Sequence, residues 1–170
     1  IELLLKRGAE VNARDSEGNQ ALMAAAQEGH EQVADSLLRY GAAIELRNKY
    51  GRTALMAAAR FGREKVVYAF LQHGAEVDLQ DGLGTTALMY AAYSGLEGLA
   101  DLLLRHGAEV NLQAFDGTTA LASAAFYGHP AFMLRLLRAG ADMTLRNVAG
   151  KTALQVAKEK GHTECVAAVR

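Results

Sequence analysis

Tryptophan is absent from these 170 residues, and cysteine and proline occur once each. The single cysteine, Cys165, has no partner for an internal disulfide, which points to a reducing compartment. A charge excess is lacking too: 18 Lys and Arg against 19 Asp and Glu leave −1 at pH 7. Gripping nucleic acid or an anionic membrane favours a basic excess, so neither partner is expected. No apolar run reaches the ~18 residues of a membrane span. No segment reads as a signal peptide or lipidation motif. The expectation is a soluble intracellular protein, cytoplasmic or nuclear. What the chain does have is 51% apolar residues, enough for a sizeable core, and 17 glycines.

The glycines set the organisation. Gly18, Gly51, Gly84, Gly117 and Gly150 lie 33 residues apart, as do Gly29, Gly62, Gly95, Gly128 and Gly161. Gly8, Gly41, Gly74, Gly107 and Gly140 keep the same period. With the glycines recurs a phrase: "GRTALMAAARFG" at 51, "GTTALMYAAYSG" at 84, "GTTALASAAFYG" at 117 and "GKTALQVAKEKG" at 150. Self-similarity of this kind marks a repeat architecture, not one compact core.

Each unit has a physical reading. "TALMAAARFG" is a short Ala-rich helix with Thr53 as N-cap and Gly62 stopping it in the left-handed conformation. A second helix follows, as in "HEQVADSLLRYG", with Val33, Leu37 and Leu38 on one side and Gly41 closing it. Pro130 falls at a first helical position, where its missing N–H costs nothing. "AEVDLQDGLG" and "AEVNLQAFDG" read as short extended strands leading into turns. Helices of about ten residues are marginal alone, so the units must stack into a solenoid.

These residues resemble the ankyrin-repeat family, whose 33-residue unit carries T-P-L-H-x-A. Matches are "RTALMA" (52–57), "TTALMY" (85–90), "TTALAS" (118–123), "KTALQV" (151–156) and, more loosely, "NQALMA" (19–24). Ala21, Ala54, Ala87, Ala120 and Ala153 replace the signature proline; Met23, Met56, Met89, Ala122 and Gln155 replace its histidine. The resemblance covers the whole chain and implies an all-α solenoid of helix–turn–helix units joined by short β-hairpin loops. The units divide as a partial repeat at 1–14, full repeats at 15–47, 48–80, 81–113 and 114–146, and a C-terminal capping repeat at 147–170. The opening "IELLLKRGAEVN" reads as the second helix of a unit, so a fragment of a longer chain with upstream repeats is expected. Lys158 and Arg170 stand where earlier units carry Ala26, Ala59, Ala92 and Ala125, and Leu38, Leu71, Leu104 and Leu137. That change from apolar to charged is what reads as a cap.

The resemblance implies that partners meet the hairpin tips and the inner face of the first helices, which line a concave groove. At those positions stand Tyr50, Arg52, Arg60 and Phe61 in the second unit, and Leu83, Tyr90 and Tyr93 in the third. Phe115, Asp116, Phe126 and Tyr127 follow in the fourth. Seven of the chain's eleven aromatics are among them. Aromatics are enriched in binding hot spots, and clustered exposed apolar groups mark interaction sites. Tyr90 has the strongest claim to a packing role instead. Charge runs in bands: residues 9–35 are acidic, 47–65 basic, 76–116 acidic and 135–170 basic, a pattern that would set a partner's register and on-rate.

No catalytic constellation emerges, and no cofactor or metal is expected. His30, His129 and His162 recur in phase at second-helix starts, too far apart to meet one zinc ion. His73 and His106 sit at second-helix ends, where they meet free carbonyls. Cys165 shares a register with Val33 and Val66 and is a buried apolar residue. The chain therefore reads as a non-enzymatic scaffold or adaptor that holds an extended peptide or loop of another protein. The alternatives are a regulatory or substrate-recruiting module of a larger enzyme, or recognition of a basic or methylated-lysine segment by the aromatics with Asp81 or Asp116. The family resemblance further implies asparaginyl hydroxylation at Asn12 and Asn111, where "GAEVN" recurs.

Overall fold

The fold comes from a computed structural model that describes residues 1–169. In chain order its helices are α1 (Glu2–Lys6), α2 (Ala21–Glu28), α3 (Glu31–Arg39), α4 (Ala54–Arg60), α5 (Glu64–Gln72), α6 (Ala87–Ser94), α7 (Glu97–Arg105), α8 (Ala120–Tyr127), α9 (Pro130–Arg138), α10 (Ala153–Glu159) and α11 (Thr163–Ala168).

Four of the first helices, α4, α6, α8 and α10, begin where a threonine side chain satisfies a free N–H group. Thr53, Thr86, Thr119 and Thr152 each accept a bond from the N–H three residues on, at 3.1–3.4 Å. Gln155 returns a bond to the Thr152 N–H, completing a capping box. In the first unit Gln20 replaces threonine: its Nε2 donates to the Ala43 carbonyl at 3.1 Å, and its buried Oε1 has no partner among the described residues. The first helices end as expected, with Gly62 at φ +69° and the Arg63 N–H reaching back to the Ala58 carbonyl. Pro130 opens α9.

Packing then makes two layers. α2, α4, α6, α8 and α10 stack in one row, and α3, α5, α7, α9 and α11 in the other. Alanine at the facing positions (Ala25, Ala58, Ala91, Ala124 and Ala157, all buried) lets the first row approach closely. Leu37, Phe70, Leu103 and Leu136 fill the space between the rows. Met23, Met56, Met89 and Cys165 are buried in this core, and burial pushes the Cys165 thiol pKa up, away from nucleophilic use.

The hairpin loops are closed by turn chemistry more than by strand ladders. Arg14 and Gln20 form an isolated antiparallel bridge, and no longer strand occurs among the described residues. The Asn48 N–H donates to the Arg52 carbonyl, and the Asn48 Oδ1 takes the N–H groups of Tyr50 and Arg52. Asp15, Asp81 and Asn147 do the same in their units. The side chain satisfies donors that a ladder would otherwise need. Successive tips are also tied together: Lys49, Gly82, Phe115 and Val148 donate backbone bonds to Glu17, Tyr50, Leu83 and Asp116, at 2.8–3.0 Å.

The phased histidines do more than start helices. His129 Nε2 donates to the Tyr93 carbonyl at 3.1 Å and His162 Nε2 to the Phe126 carbonyl at 3.0 Å, each stapling one unit to the unit before. Arg63 does so to Gln27. His106 meets the Leu102 carbonyl, as its place at a helix end predicts, whereas His73 meets the Asp35 carboxylate. The cap substitution expected at Arg170 lies outside the described residues.

Candidate functional site

The eleven residues expected to meet a partner stand at the hairpin tips and along α4, α6 and α8, and their contacts divide them into two groups. In the first, cations lie on aromatic rings. The Arg52 guanidinium is 5.2 Å from the Tyr50 ring centre and 5.8 Å from that of Tyr90; Arg60 is 5.8 Å from Phe61 and 5.9 Å from Tyr90. Lys49 pairs with Glu17 at 2.5 Å, and the Tyr50 hydroxyl donates to the same carboxylate at 3.1 Å.

Tyr90 is the hinge of the arrangement and is buried. Its hydroxyl donates to Asp81 Oδ2 at 2.7 Å and accepts from Arg52 Nε at 2.9 Å. Burial alone would raise the Asp81 pKa. The Tyr90 hydroxyl, the N–H groups of Thr85 and Leu83, and Arg52 outweigh it and hold the carboxyl below its ordinary 3.8. Burial and the Asp81 charge push the Tyr90 phenol up. Tyr90 is therefore a packing and hydrogen-bonding residue that joins two units, and the Asp81 side chain, 1% exposed and facing Arg52, is closed to a cationic ligand.

The second group is open. Tyr93 and Tyr127 meet edge to face with ring centres 4.4 Å apart, and Phe126 leans on Tyr127 at 4.9 Å. All three are more than two-fifths exposed, while Leu83 and Phe115 at the tips are 67% and 71% exposed. Between Tyr90 and Tyr127 lies a cleft of about 370 Å³, walled also by Tyr93, Leu83, Phe115 and Asp116 and floored by Met89 and Ser123. A neighbouring cleft of about 240 Å³ lies across Tyr127, against Phe126 and Val156. The Asp116 Oδ1 accepts the Thr118 N–H at 2.9 Å, and Asp116 lines both clefts.

Ser123 was not singled out by sequence reasoning, yet it makes the cleft. Ala57, Tyr90, Ser123 and Val156 occupy one register, 33 residues apart. A small polar residue directly after a large aromatic one leaves a hollow beside that ring, and comparing consecutive units at this register reveals it. Val148, 80% exposed, extends the apolar tips of Leu83 and Phe115 by one unit.

Among the described residues no three His, Cys, Asp or Glu side chains converge as metal ligands, and no helix is long and apolar enough to cross a membrane. No curated protein matches the chain. A family model described as ankyrin repeats (3 copies) matches residues 1–81 and again 69–147. With the period, the stacked helix pairs and the tied hairpin tips, that match makes this chain a member of the ankyrin-repeat family.

Proposed function

We propose that the chain is a protein–protein interaction module whose face over the second to fourth units holds an extended peptide or loop of a partner. Ankyrin repeats are generally binding modules of this kind, without catalysis of their own. The observation that carries the reading is the cleft over Ser123, walled by Tyr93, Phe115 and Tyr127. Exposed aromatics around a hollow offer a large contact area at small entropic cost, the usual make-up of a hot spot. An apolar side chain of the partner fills the cleft, while its backbone runs along Leu83 and Phe115. Tyr50, Arg52, Arg60 and Phe61 border the path on one side, and Phe126 on the other.

The test compares proteins captured from lysate by the parent chain, a Tyr93→Ala/Phe126→Ala variant and a Ser123→Tyr variant, with equal folding verified by circular dichroism. Ser123→Tyr fills the cleft with the residue that the fold already accommodates at Tyr90. A partner held through the cleft should lose at least 30-fold in affinity to both variants, the loss of about 2 kcal/mol that defines a hot spot. Equal capture by all three would place the binding surface elsewhere.

A further inference from the structure

The cations of the groove face fall into two classes. Lys49, Arg52 and Lys151 each face a carboxylate of this chain: Glu17, Asp81 and Glu159. Arg60 and Lys160 do not, among the described residues; each rests on an aromatic ring instead, Lys160 at 4.0 Å from the centre of Phe126. These two lie on opposite sides of the Ser123 cleft, in the second and fifth units. The acid at the cleft itself, Asp116, repels a negative group from the central position. We infer that the occupant of the groove, read as above, is an extended peptide with an apolar anchor at its middle and Asp or Glu on both flanks, one for Arg60 and one for Lys160.

The spacing follows from geometry. The two charged heads lean inward, Arg60 to 5.9 Å from the Tyr90 ring centre and Lys160 to 4.0 Å from that of Phe126, on the adjacent helices α6 and α8. One helix step of about 10 Å plus those offsets sets their separation at about 20 Å or less. An extended chain rising ~3.3 Å per residue covers that span in about six positions. The flanking acids therefore stand about four to six positions apart, with the anchor between them. A cation already lying on an aromatic ring has lost part of its rotamer freedom, so pairing it with a partner's carboxylate costs less entropy than usual.

A random 14-residue peptide library selected on the immobilised chain tests this without knowing the natural partner. Expected winners carry a large apolar residue between two acids at that spacing and bind less well in 0.5 M salt. Arg60→Ala and Lys160→Ala should each weaken them about three-fold, as exposed ion pairs do. An Arg60→Glu/Lys160→Glu chain, folded by circular dichroism, should instead select peptides with basic flanks. Winners that have an apolar anchor but indifferent flanks, unchanged by charge reversal, would overturn the inference and leave the groove reading standing. Failure to enrich any peptide, or winners that bind the Ser123→Tyr chain equally well, would overturn both.

Discussion

Asp78 shows how much a single atom matters at the junction between units. At the same register Asn12 and Asn111 each take a backbone N–H of the next unit on Oδ1 and return a bond from Nδ2 to a glycine carbonyl, Gly41 and Gly140. Asp78 accepts the Glu109 N–H but has no hydrogen to give back. Burial raises its pKa above 3.8, and burial likewise raises that of Glu45, which accepts the Glu76 N–H one unit earlier. A raised carboxyl pKa means that the folded state binds the proton more tightly, so stability from this source is full at low pH and is lost as pH rises through the folded value. Asp78→Asn should therefore stabilise the chain at pH 7 by about 0.5–1.5 kcal/mol, the value of one restored hydrogen bond. Urea unfolding measures it, and the advantage should shrink as pH falls toward 4. Asp81 has the opposite sign: its pKa is lowered, so its contribution is present above about 3.8 and fades below it.

Among elements, the helices were legible in sequence because their signals are local: a threonine, eight residues, a glycine. The loops were less so. "AEVDLQDGLG" has strand composition, yet Asp81 at its turn closes the loop with its own carboxylate. The residues expected at a groove were legible as hairpin and helix positions, but their contacts with one another were not. Arg52 meets Tyr90, and Tyr93 meets Tyr127, across 38 and 34 residues, offsets that emerge only when units are laid beside one another. Gly84 joins both kinds of signal. It holds φ +79°, and a Cβ there would stand 2.7 Å from the Phe115 nitrogen, the group that ties one tip to the next. Gly84→Ala should cost more than about 1 kcal/mol, since left-handed strain and the displaced tip add. Amide exchange at Phe115, followed by NMR, should accelerate more than exchange at the Ala124 and Ala125 amides of α8.

At the scale of the whole molecule, the main helix contacts among the described residues run within a unit or to an adjacent one, so stability is a sum of unit and junction terms. α4, α6 and α8 are packed from both sides along the array, whereas α1 has no buried residue. Hydrogen exchange should accordingly report a gradient, with the slowest amides in α6 and the fastest in α1. A uniform profile would mean that the array opens as one body.

The tip-to-tip backbone bonds give one edge of the array a fixed margin. Along that edge four backbone bonds of 2.8–3.0 Å join successive loops, while the polar links between outer helices run through side chains, from Gln72 to His106 at 3.4 Å to Arg135 and Glu97 at 2.9 Å. The array is thus built like a folding fan gathered at its rivet. Bending spreads the ribs before it lengthens the gathered edge, so the face changes its depth more readily than the spacing of its tips, and under the proposed function that spacing would be the ruler against which an incoming chain is measured.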